Sequence, residues 1–127
     1  MTVGTAWQDE VQRYLRALGR GDRPAALHQV RSLRPAGHGV AALIQELLVP
    51  AQLAVGELWV ADAWSVAQEH AATAISESVL NALAVQEAPP ASPHALTLVV
   101  TCVEQEWHAL PALMVTEHLR AEGFTVS

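Results

Sequence analysis

Three prolines, Pro89, Pro90 and Pro93, fall within five residues of the stretch 87–94, Glu-Ala-Pro-Pro-Ala-Ser-Pro-His. Proline has no backbone N–H and a fixed φ, so neither a helix nor a sheet ladder continues through such a run. The chain is thereby divided, and each part must bury its own apolar pattern. We read 1–86 as one domain, 87–94 as a linker and 95–127 as the start of a second domain.

The first part has a helical period. Trp7, Val11, Tyr14, Leu15 and Leu18 recur at helical spacing, and Gly19 and Gly21 end the run. Asp22 is placed to cap a second helix, with Pro24 in its first turn. Leu27, Val30 and Leu33 line its apolar side, and Arg34-Pro35 with Gly37 stops it. A third helix is expected over about 39–60, with Val40, Leu43, Leu47 and Leu58 in the core. Pro50 should bend or split it. After a turn near Asp62, Ser65-x-x-Gln68 has the form of a capping box and opens a fourth helix that runs to about residue 86. On that helix Ala72, Ile75, Val79 and Leu83 share one face and form the core stripe. The expectation for 1–86 is a four-helix bundle in a mainly α chain.

Beyond the linker the period changes. Residues 95–102, Ala-Leu-Thr-Leu-Val-Val-Thr-Cys, are apolar and rich in β-branched side chains, the pattern of a buried strand in a parallel sheet. A helix over about 109–122 ends at Gly123, a C-cap candidate, and 124–127 open a second strand. This β-α-β order is the beginning of a Rossmann-like or flavodoxin-like domain, which needs about five strands. The chain is therefore expected to be a fragment or a natural truncation. A partner chain or a second copy would complete the sheet, because unpaired strand edges invite pairing.

Charge narrows the partners. Seven basic residues face thirteen acidic ones, a net of −6, which argues against nucleic-acid binding. The cluster Arg13, Arg16, Arg20, Arg23, Arg31 and Arg34 reads as a solvated face. The lone Cys102 excludes an intramolecular disulfide. Residues 1–10 carry no secretion-signal pattern. The most apolar stretch, 40–60, is interrupted by Gln45, Glu46, Pro50, Gln52 and Glu57, too polar for a bilayer span. A cytoplasmic location without a membrane partner is expected. No zinc-type cysteine pair, glycine-rich phosphate loop or nucleophile elbow is present, so no enzyme activity is expected.

Two places carry candidate chemistry. Opposite the core stripe of the fourth helix lie Val66, Glu69, His70, Thr73 and Glu77, either a solvent face or a polar pocket wall. Trp59, ten residues before Glu69 across a tight turn, can fold back beside it, and Trp64 is also close. The other place is the loop after the first strand, Thr101-Cys102-Val103-Glu104-Gln105-Glu106-Trp107-His108. In open α/β sheets ligands bind beyond the carboxyl ends of the strands. His108 sits there, and imidazole is the commonest protein ligand to transition metals. Glu106 can accept a hydrogen bond from its other ring nitrogen. Taken alone, His108 reads as a histidine at a helix start rather than a ligand. His28, His38, His94 and His118 have no partner at ligand spacing.

Together these segments resemble one family. Residues 56–73, Gly-Glu-Leu-Trp-Val-Ala-Asp-Ala-Trp-Ser-Val-Ala-Gln-Glu-His-Ala-Ala-Thr, are similar to the cap of helical-bundle cobalamin-binding domains, in particular those of MerR-type light-sensing repressors that use adenosylcobalamin. The cap pattern is a Trp, nine residues, then Glu-His, here Trp59, Glu69 and His70. The α/β part of that family opens with a strand and a Glu-x-His-x-x-Gly loop, here Glu106 to Pro111. The resemblance spans about 7–127. It implies a cobalamin ligand, adenosylcobalamin or methylcobalamin, with His108 as lower axial cobalt ligand and Glu106 orienting it. Trp59, Glu69, His70 and Thr73 would face the upper side.

The sequence departs from that pattern in three ways. Pro111 stands where the loop glycine is expected, Val60 where some photoreceptors have a second histidine, and further strands and a DNA-binding helix-turn-helix are lacking. The resemblance implies a sensory and regulatory module. The alternatives are a corrinoid carrier in methyl transfer and a helical interaction module that no longer binds cofactor.

Overall fold

The computed structural model describes residues 3–86 and 94–127. Helix α1 spans Val3–Gly19 and buries Tyr14, Leu15, Ala17 and Leu18. Gly21, at φ 66°, makes the left-handed turn that glycine adopts without strain. Asp22 then caps α2, Arg23–Leu33, its carboxylate accepting the Ala25 N–H at 3.0 Å. Val30 is buried as expected, while Leu27 and Leu33 are only partly covered. Ala26 and Gln29 take their place in the core. Gln29 Nε2 donates to the Glu10 carbonyl (2.8 Å) and carboxylate (2.7 Å), which makes its burial affordable.

Pro50 neither splits nor breaks the next helix. Helix α3, Val40–Leu43, runs through a π-helical stretch, Ile44–Leu48, into α4, Val49–Val60. Proline cannot donate to the carbonyl four residues back, and its ring crowds that turn. The widened turn just before it accommodates both faults. Val40–Val60 is long and apolar enough to cross a membrane by length and composition, with mean hydropathy 1.3. Here Val40, Leu43, Ile44, Leu47, Leu48, Ala51 and Val55 are bundle core. Leu58, expected there, is only half-buried.

The turn into the last bundle helix holds Asp62 at φ 56°. Ser65 and Gln68 form the capping box: the Ser65 N–H donates to Gln68 Oε1 (3.0 Å) and the Gln68 N–H to Ser65 Oγ (3.2 Å). Helix α5, Val66–Gln86, buries the expected stripe Ala72, Ile75, Val79 and Leu83. It also buries Ser76, whose hydroxyl meets Tyr14 Oη at 3.0 Å inside the bundle.

After the bundle, β1 (Thr97–Leu98), α6 (Leu110–Ala121) and β2 (Thr125–Val126) follow, and β1 and β2 pair in parallel. Val100 N–H donates to Ser127 O (2.9 Å) and Ser127 N–H to Leu98 O (3.0 Å), extending the ladder. Gly123, at φ 101°, ends α6 as its pattern predicts. Helix α6 packs on α5 and α3, and Leu110 and Met114 join the bundle core.

The strand itself is a correction. In place of a buried run over 95–102, only Thr97 and Leu98 are in strand pairing. Leu96 and Val99 are 66% and 76% exposed. A two-stranded ladder gives β1 one neighbour, and an apolar strand is buried only where further strands or a second layer cover it.

Candidate functional site

The capping box fixes where α5 begins and so which residues occupy its first turns. Glu69 and His70 are in them, the Glu69 side chain largely covered and that of His70 exposed. His70 Nδ1 lies within hydrogen-bond reach of Glu69 Oε2, and Thr73 Oγ1 donates to Glu69 Oε1 at 3.2 Å. The sequence leaves Thr73 on either a solvent face or a polar pocket wall. It is buried, and Gln52 Nε2 on α4 donates to its hydroxyl at 2.9 Å. A continuous relay therefore runs from Gln52 through Thr73 and Glu69 to His70. Gln52 was missed from the sequence because its partner lies 21 residues away and no local pattern links them.

Facing this relay is the loop between β1 and α6. Gln105 at φ 71° turns the chain, and the Glu106 N–H donates to the Val103 carbonyl at 3.1 Å. Glu106 Oε1 then accepts both the His108 backbone N–H (2.8 Å) and its Nδ1 (3.0 Å). The backbone N–H of His108, and after it the imidazole, hold the Glu106 carboxyl below its usual range. The anion it favours is an acceptor, which assigns the proton to Nδ1 and leaves the Nε2 lone pair to a ligand. Pro111, in the first turn of α6, leaves the helix intact.

His70 and His108 meet across a cleft of about 510 Å³ lined by Glu69, His70, Thr73, Ala74, Glu77, Trp107 and His108. Their ring centres are 6.4 Å apart with planes at 85°. The volume is in the range of small-molecule sites, about 300–1,000 Å³. Five of the six residues singled out from the sequence are thus brought to one place, Glu106 through its hold on His108. Trp59 is not: it is half-exposed in the last turn of α4 and does not line the cleft. The turn at Asp62 brings back Trp64 instead, whose ring lies over Gly19 at the end of α1. Trp107, 91% exposed, lines the cleft in its stead. Its position between Glu106 and His108 was the available signal.

Among the described residues no group of three or more His, Cys, Asp or Glu is arranged to hold a bare metal ion. Single imidazoles with anchored Nδ1 suit a metal that brings its own equatorial ligands, and a corrin-bound cobalt meets that description. The remaining histidines lie elsewhere: His38 packs edge-on to Trp7 and His94 stacks on Phe124.

The family model described as the B12 binding domain matches residues 10–84, more than half of the chain. No curated protein matches the chain.

Proposed function

The chain belongs to the B12 binding domain family and binds a cobalamin; from that premise we propose that it is a non-catalytic sensory module for adenosylcobalamin, with His108 as the lower axial ligand. The observation that carries this reading is the His108 couple: Nδ1 tied to Glu106 at 3.0 Å, on a cleft whose opposite wall is the α5 relay. Glu106 orients the ring and raises its basicity. Glu69, His70 and Thr73 line the upper side, with Trp107 rather than Trp59 as the aromatic wall.

When bound, the cofactor supplies a cobalt centre whose axial ligands are exchangeable. What the chain contributes is a lone pair at His108 Nε2, a proton kept at Nδ1, and a cap of α5 side chains that limits water. The adenosyl form and the regulatory role are supported by the spacing of Glu69-His70 behind Trp59, which is similar to the adenosylcobalamin-dependent repressors. Calorimetric titration in the dark with adenosylcobalamin and methylcobalamin tests this. Adenosylcobalamin is expected to bind more tightly, and His108→Ala to weaken both. A preference for methylcobalamin would favour a methyl-transfer carrier.

A further inference from the structure

The bundle carries a second concave place, which shares no residue with the cleft at His108. It is a groove of about 310 Å³ between the N-terminal half of α1 and the turn where the π-helical stretch enters α4. Half-buried Trp7, Val11 and Pro50 form its apolar part, and exposed Gln8, Gln12 and Glu46 its polar part. His38 meets the Trp7 indole with ring centres 4.8 Å apart and planes at 62°, and does not itself line the groove. The indole is thus steadied from outside the space that it borders. The volume is at the lower end of the small-molecule range, about 300–1,000 Å³, which suits a ligand of few atoms.

Charge and chemistry narrow what such a ligand is. Among the described residues no cation pairs with Glu46, and neither its carboxylate nor the side-chain amides of Gln8 and Gln12 are engaged in a hydrogen bond. No arginine lines the groove, so its one formal charge is negative. A bare metal ion would meet a single carboxylate there, too few charged ligands to hold it. An indole attracts cations through its ring electrons, and an apolar floor favours a cation that carries methyl or methylene groups. Glu46 also lies in the π-helical stretch Ile44–Leu48, an irregularity frequent at functional sites.

We propose that the groove between Trp7 and Glu46 is a binding site for a small organic ammonium ion, its charged head between the indole and the carboxylate and its carbon substituents on Val11 and Pro50. The site does not depend on the cobalamin reading of the cleft. Gln8 and Gln12 are left to hydrogen-bond polar groups elsewhere on the ligand. The net charge of −6 favours the approach of cations. One indole and one exposed carboxylate support a weak site, with a dissociation constant of roughly 1–10 mM.

The test titrates the full chain with choline and, in parallel, with dimethylbutanol, a neutral molecule of the same shape in which carbon replaces the ammonium nitrogen. Sodium chloride at matching concentration serves as the blank. The readout is the indole N–H signal of each tryptophan by NMR, with that of Trp7 assigned from Trp7→Phe. Choline is expected to shift the Trp7 signal saturably and to bind about tenfold more tightly than the neutral alcohol. Glu46 is exposed, so its substitution leaves the bundle folded. Glu46→Gln should weaken choline about two- to fivefold, and Glu46→Lys should remove the shift. Equal binding of the neutral alcohol, a shift that does not saturate, or a shift at Trp107 in place of Trp7 overturns the inference. So does unchanged choline binding in Glu46→Lys.

Discussion

Tyr14 and Glu106 show how single residues report on this fold. Tyr14 is fully buried, and burial pushes its phenol from 10.0 up to about 12, against the pull of the Ser76 hydrogen bond. The unfolded chain ionises this phenol near its ordinary value, while the folded chain keeps it protonated. Stability is therefore complete below pH 10 and declines as pH rises toward 12, by about 3 kcal/mol in all. Tyr14→Phe should cost about 1–2 kcal/mol near neutral pH, since Ser76 is left buried without its partner. It should also flatten the alkaline decline, as read by urea denaturation at several pH values. Glu106 moves the other way. Its carboxyl is held below its usual range by the His108 N–H, so the couple is present above that range and lost only as pH falls through the lowered value. Glu106→Gln keeps an acceptor but removes the charge, and cobalamin affinity should fall about 10- to 100-fold in a calorimetric titration.

The elements were legible wherever their signals are local. Asp22 capping Ala25, Ser65 pairing with Gln68, and Gly21 and Gly123 in left-handed turns each follow from residues within a few positions of one another. What escaped was non-local. The Gln52–Thr73 bond joins two helices, and the Tyr14–Ser76 bond spans 62 positions. Ala26 and Gln29 lie outside the apolar stripe Leu27, Val30 and Leu33 that the sequence shows, and are placed in the core by what α1 presents to them. The apolar run at 95–102 was read as buried because composition records a preference for burial and not the presence of a covering layer. At the site, the Glu106–His108 couple was visible in the sequence, and the displacement of Trp59 was not, because the indole that returns over α1 is set by the space at Gly19. A Cβ there would lie 2.9 Å from the Trp64 ring. Gly19→Ala should therefore cost about 1–3 kcal/mol, and Ser65→Ala about 1 kcal/mol through loss of the cap. Thermal or urea unfolding checks both.

At the scale of the whole molecule, stability and function are divided unequally. The helices from α1 to α5, with Leu110 and Met114 of α6, share one core, whereas β1 and β2 hold to each other through a short ladder beside exposed apolar side chains. Amides of Val100 and Ser127 should thus exchange with deuterium well before those of α1 and α5, with the gap read by mass spectrometry or NMR. The cleft lies where the firm part meets the loose one, so a ligand that grips both His108 and α5 would slow exchange in the β1–β2 ladder. His108 is proposed to supply the lower ligand to a bound cobalamin. The direct test is the absorbance spectrum of the protein mixed in the dark with adenosylcobalamin and then desalted, beside His108→Ala. Retained corrin colour with a histidine-bound, base-off spectrum in wild type, and its loss in the variant, is the expected result. A colourless wild type, or the same spectrum in both, would contradict it.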